Sequence, residues 1–81
     1  MKKLASKTGR IDYCVGDQLH TLEATYALCE EIAGEVYYVV YREDGGWNDD
    51  NWEFDTLLDA ETCFVDHASR LRDVVTEWDF I

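Results

Sequence analysis

Proline is missing from all 81 residues, and lysine occurs only at Lys2, Lys3 and Lys7. The absence of proline is unusual and agrees with a compact domain of short connections. Seven Lys and Arg stand against 18 Asp and Glu, a balance that excludes direct binding of nucleic acid or of an anionic membrane surface. Cysteine is odd in number: Cys14, Cys29 and Cys63 sit at no metal-like spacing. They read as reduced, mostly buried thiols of a cytosolic protein and not as a disulfide framework. The charged start MKKLASKTG is followed by no apolar run of the kind a signal peptide needs, and nothing approaches membrane-spanning length. There is no glycine-rich phosphate loop.

What is present is enough apolar material for one small core, at 47% hydrophobic and 14% aromatic residues. Eighty-one residues make a single domain. The net charge of −11 is unevenly spread. Lys2, Lys3, Lys7 and Arg10 fall in the first ten residues, which hold no acid; the rest of the chain holds every acid against Arg42, Arg70 and Arg72. The organisation expected is a flexible basic tail over 1–9 and an acidic domain over 10–81, which repels nucleic acid and is steered toward basic surfaces.

Alternation in RIDYCV (10–15) predicts a short strand, ended by Gly16 and Asp17. Leu19, Leu22, Tyr26, Cys29 and Ala33 recur at three- and four-residue steps, which predicts a helix over 18–33 with Gly34 at its C-terminal cap. EVYYVVYRE (35–43) is the clearest strand, apolar on both parities, and Asp44-Gly45-Gly46 is a turn signal after it. WEFDTLL (52–58) alternates again and should pair antiparallel with 35–43. Asp59 then caps a second helix whose stripe is Phe64, Ala68, Leu71, Val75 and Trp78. Residues 76–81 end that helix or form a last strand. The fold expected is α+β, in the order β-α-β-β-α with an optional last β: an antiparallel sheet with two helices on one face. The other face would be open and would present Tyr37 and Tyr41.

The stretch YREDGGWNDDNWEFD (41–55) sets a dense run of carboxylates beside two of the three tryptophans. A solvated loop accommodates the acids but has no use for the indoles, whereas a binding surface uses both. The candidate partner-binding residues are Tyr41, Glu43, Asp44, Trp47, Asp49, Asp50, Glu53 and Asp55. Alternate strand residues lie roughly 6.6 Å apart on one face, so such acids form a row that a Lys/Arg groove built for DNA phosphates can hold. The competing explanations are a loop kept acidic for solubility and halophilic adaptation, which does not by itself produce one dense cluster flanked by aromatic rings. Trp52 alternates with the acids and reads as core; Trp47 reads as contact.

Other chemistry finds little support. As a calcium loop the stretch puts Asp49 where an EF-hand needs glycine, Gly46 at a ligand position and Asp55 in place of the final Glu. Cys63 and His67 are one helical turn apart, yet no oxyanion donor or pocket accompanies them. No metal site, cofactor or enzymatic activity is expected.

In size, charge and the REDGGWNDDNWEFD stretch, the chain resembles the small acidic inhibitors of bacteriophages and mobile elements, the anti-CRISPR and anti-restriction proteins. It shares the same profile with acidic nuclease-immunity proteins of the barstar or colicin-immunity kind. The resemblance implies a cytoplasmic α+β protein that mimics nucleic acid and blocks a basic surface on a nuclease or nucleic-acid-binding complex. The alternative is an immunity or interaction module that uses an open Tyr-rich sheet face. A homodimer is left open as a further arrangement.

Overall fold

A computed structural model describes residues 2–44 and 49–78, the side chain of Trp78 excepted. Five strands and one helix follow in the order β1 (Lys2–Val15), β2 (Gln18–Ile32), β3 (Val36–Glu43), β4 (Asp49–Phe54), α1 (Leu57–Ala68) and β5 (Arg72–Trp78). All neighbours are antiparallel, in the spatial order β4-β3-β2-β1-β5. The helix crosses one face, between the edge strand β4 and the opposite edge strand β5.

The two-helix α+β layout expected from the sequence is therefore wrong, because the first expected helix is the central strand β2. Its residues carry two periodicities at once. The stripe Leu19, Leu22, Tyr26, Cys29 fits a helix, but Leu22, Ala24, Tyr26 and Leu28 alternate equally well. Pairing decides between them, since β2 bonds along its length to β1 and from Ala24 to Ile32 to β3 as well, and buries Ala24, Tyr26 and Leu28. Gly16 (φ 60°) supplies the positive φ that a two-residue hairpin loop needs between Val15 and Gln18. Residues 2–9, read above as a basic tail, are the first half of β1. The second expected helix stops at Ala68, and Arg72–Trp78 turns back as β5 against β1.

Helix α1 starts at Thr56, which is extended (φ −126°, ψ 148°) and whose hydroxyl accepts the Asp59 amide at 3.3 Å. This is the cap geometry that satisfies one orphan donor of the first turn; Asp59, expected as the cap, lies inside that turn. Ala60, Phe64 and Ala68 point into the sheet and are buried, Phe64 completely. They meet Ala5, Ala24, Tyr26, Leu28, Tyr37 and Val39 in one core. Lys7 lays its stem across the edge of that core, with Nζ 5.5 Å from the Phe64 ring centre.

The parity of β3 is the reverse of the sequence expectation. Tyr37, Val39 and Tyr41 face the helix, and Tyr37 is only 6% exposed, its hydroxyl accepting the Gly34 amide at 3.1 Å. Tyr38 and Val40 lie on the other face, which no described element covers. With both parities apolar, the sequence alone could not choose the covered one. The open face is slightly concave where Ser6, Thr8, Thr25, Ala27 and Cys29 keep its floor low, enclosing about 380 Å³.

Beyond Arg10 and Ala24, where β5 and β3 end their pairing, β1 and β2 continue as a two-stranded arm. Asp12 fastens its base, accepting from Thr21 at 2.6 Å and from the Arg72 guanidinium at 2.7 Å. Those partners, the Thr21 hydroxyl first, hold the Asp12 carboxyl below its ordinary pKa. Farther out Tyr13 stacks on His20 with ring centres 5.3 Å apart.

A candidate acidic interface at the β3–β4 edge

Of the candidate contact residues, Asp49, Asp50 and Glu53 lie in the edge strand β4, and Tyr41 and Glu43 in its neighbour β3. In the β3–β4 register Arg42 stands opposite Asp49, Tyr41 opposite Asp50 and Tyr38 opposite Glu53. Side chains alternate across a strand, so Asp49 and Glu53 project on the open face while Asp50 shares the helix-covered face with Tyr41. Glu43 is on that second face too, where its carboxylate accepts the Tyr41 hydroxyl at 2.8 Å. Asp44 sits in the turn, its amide donating to the Glu23 carbonyl at 2.8 Å, and Asp55 directly follows β4. Trp47 lies outside the described residues.

The acids are thus ordered by the strand ladder, yet split between two faces. Because β4 is an edge strand, both faces meet at its rim, and the two sets of carboxylates border one ridge. Asp44, Asp49, Asp50, Glu53 and Asp55 are exposed and Glu43 is half-buried. Among the described residues no Lys or Arg forms an ion pair with any of the six; Arg72 pairs with Asp12 at the arm, away from them. A ridge of unpaired negative charge is well suited to a partner that brings its own cations.

The aromatic residues at this ridge are a cluster that the sequence reading did not assemble. Tyr26 packs on Tyr41 with ring centres 4.7 Å apart, and Trp52 packs on His67 of α1 at 4.6 Å. Tyr26 bridges the two pairs, 6.5 Å from Trp52 and 5.9 Å from His67. Tyr41, Trp52 and His67 are half-buried, so each offers some ring surface beside Glu43 and Asp50. The alternation of Trp52 with Phe54 was the available signal; His67 reaches the cluster only through the helix crossing. Burial foremost, and then the Glu43 hydrogen bond, pushes the Tyr41 hydroxyl far above the ordinary tyrosine range. Burial does the same, more mildly, to Tyr26.

The Cys63 and His67 pair does not have the geometry of a nucleophilic dyad. His67 Nδ1 lies 2.9 Å from the Cys63 carbonyl oxygen and 3.5 Å from Cys63 Sγ. A carbonyl can only accept, so this contact places the proton on Nδ1 and leaves that nitrogen no lone pair for the thiol. Burial, with Asp66 second, pushes the Cys63 thiol up and away from thiolate. Among the described residues no group of three or more His, Cys, Asp or Glu is placed to hold a metal ion, and no helix is long and apolar enough to cross a membrane. Compared with protein-family models, curated proteins and solved structures, the chain matches none.

Proposed function

We propose that this protein is an acidic binding protein that seats its β3–β4 edge in a basic, nucleic-acid-binding surface of a partner protein and blocks it. The observation that carries this reading is the ridge itself: six carboxylates ordered by one strand pair and its flanks, with no Lys or Arg ion pair among the described residues. Glu43, Asp44, Asp49, Asp50, Glu53 and Asp55 meet Lys and Arg of the partner, and the partly exposed rings of Tyr41 and Trp52 rest against apolar or guanidinium surface. The alternative reading expected Tyr37 and Tyr41 on an open sheet face and is less favoured, since Tyr37 is buried under α1 and Tyr41 packs on Tyr26.

Asp49, Asp50 and Glu53 are exposed, so changing all three to Lys leaves the core intact. The expected outcome is that wild-type protein captures a nucleic-acid-binding protein from host lysate, while the triple reversal keeps the same circular dichroism spectrum and captures none of it. Equal capture by the two proteins contradicts the proposal.

A further inference from the structure

The outer side of α1 carries a second surface, used by neither the core nor the ridge. Leu58, Thr62 and Val65 stand four and then three residues apart, on the side opposite Ala60, Phe64 and Ala68. Leu58 is 72% exposed and Val65 50%, high values for side chains that favour burial. The hydroxyls along this line are already satisfied by the helix backbone. Thr62 Oγ1 donates to the Leu58 carbonyl at 2.8 Å, and Ser69 Oγ donates to the Asp66 carbonyl at 2.6 Å. Thr62 therefore offers its methyl group, and the stripe from Leu58 to Val65 is apolar throughout.

Carboxylates border that stripe on both sides. At 100° per residue Glu61 falls on one flank and Asp59 and Asp66 on the other. All three are exposed, and among the described residues none has a Lys or Arg ion pair. Leu58, Glu61, Thr62, Val65 and Asp66 line a shallow depression of about 540 Å³. Anchors at i, i+4 and i+7 with charged borders are what one helix presents to another in side-by-side packing.

We propose that α1 docks an amphipathic helix of a partner protein, one whose apolar stripe is bordered by Lys or Arg. Charge decides the occupant. A second copy of this chain would bring its own Asp59, Glu61 and Asp66 against the same three residues, with a net charge of −11 on each side; a basic helix converts both borders into attractions. This surface goes beyond the ridge reading and does not rest on it, although α1 begins three residues after β4 and one partner can reach both.

The test titrates the full chain with a synthetic helical peptide of leucine and lysine, all leucines on one face, and follows backbone amide chemical shifts. One control peptide has the same composition in scrambled order; another has glutamate in place of lysine. The expected result is shift changes centred on Leu58, Thr62 and Val65, weak binding of either control, and an affinity lowered about tenfold by L58Q with V65Q. Reversing Asp49, Asp50 and Glu53 to Lys changes this affinity by a few-fold at most, so failure of this proposal and failure of the ridge proposal are read separately. Three results overturn it: a scrambled peptide that binds as tightly, shift changes confined to the β3–β4 edge, or α1 shifts that depend only on the concentration of the chain itself.

Discussion

Gly9 stands where the sheet leaves no room for a side chain. A Cβ placed there would lie 2.6 Å from the Arg72 carbonyl oxygen and 2.9 Å from the Leu71 Cβ. The first of these is backbone, at the irregularity where β1 passes β5, so the strands themselves would have to part. Gly9→Ala is expected to cost about 1–3 kcal/mol, the usual range for overpacking, read as a lower midpoint in urea denaturation. An unchanged midpoint would mean that β5 does not press on β1 as described.

The tyrosines set a second expectation at this scale. Tyr26, Tyr38 and Tyr41 all hold their protons above the ordinary value of 10.0, the first and third mainly through burial and Tyr38 mainly through the Glu31 carboxylate beside it. A raised pKa in the folded state means that the unfolded chain loses these protons first. Their contribution to stability is therefore complete below pH 10 and declines as pH rises through the folded values. Cys29 and Cys63, also raised, begin the same decline nearer their ordinary 9.0. Stability measured by denaturant should fall between pH 9 and 12, and Tyr41→Phe should make the fall shallower above pH 10. A variant that follows the wild-type curve throughout would remove Tyr41 from this account.

At the scale of elements, helix α1 depends on its cap. Thr56→Ala removes the acceptor for the Asp59 amide and should cost about 1 kcal/mol, seen as a lower thermal midpoint, whereas Thr56→Ser should restore most of it. The start of this helix was legible in the sequence because short polar residues precede an apolar stripe; only the capping residue differs, Thr56 and not Asp59. Strand β3 was legible from its run of Val and Tyr, and an antiparallel partner from the alternation around Trp52, although that partner is Asp49–Phe54 and not 52–58, whose last residues open α1. Strand β2 was not, because the helical stripe through Leu22, Tyr26 and Cys29 coexists with the alternation of Leu22, Ala24, Tyr26 and Leu28. Gly16-Asp17 between two alternating segments is itself a two-residue hairpin signal that competes with the helical stripe. Residues 2–9 gave no such sign: Ala5, Ser6 and Gly9 have little strand preference, yet Ala5 fits into the core under α1, Gly9 leaves room for β5, and Ser6 lies on the open face. The end of α1 was hidden for a related reason. Val75 and Trp78 continue the spacing of Phe64, Ala68 and Leu71, and no proline or glycine marks the break at Ser69 and Arg70.

Over the whole molecule, the candidate interface was legible as composition and not as shape. The sequence placed the acids and rings in one stretch, but whether Asp49 and Asp50 share a face depends on strand register, which only pairing fixes. The result is a ridge with carboxylates on both flanks and a partly exposed ring cluster on one of them. On the proposed function this surface is drawn to cations at long range, so its affinity should drop steeply as salt screens it. The most direct measurement is displacement of labelled duplex DNA from the captured partner, titrated with the wild-type chain and with the triple reversal of Asp49, Asp50 and Glu53 to Lys at rising salt. The expected result is one-to-one displacement by the wild type, weakening at each increase in salt, and no displacement by the reversal. Displacement that ignores salt, or that survives the reversal, would contradict the claim that this carboxylate ridge is the binding surface.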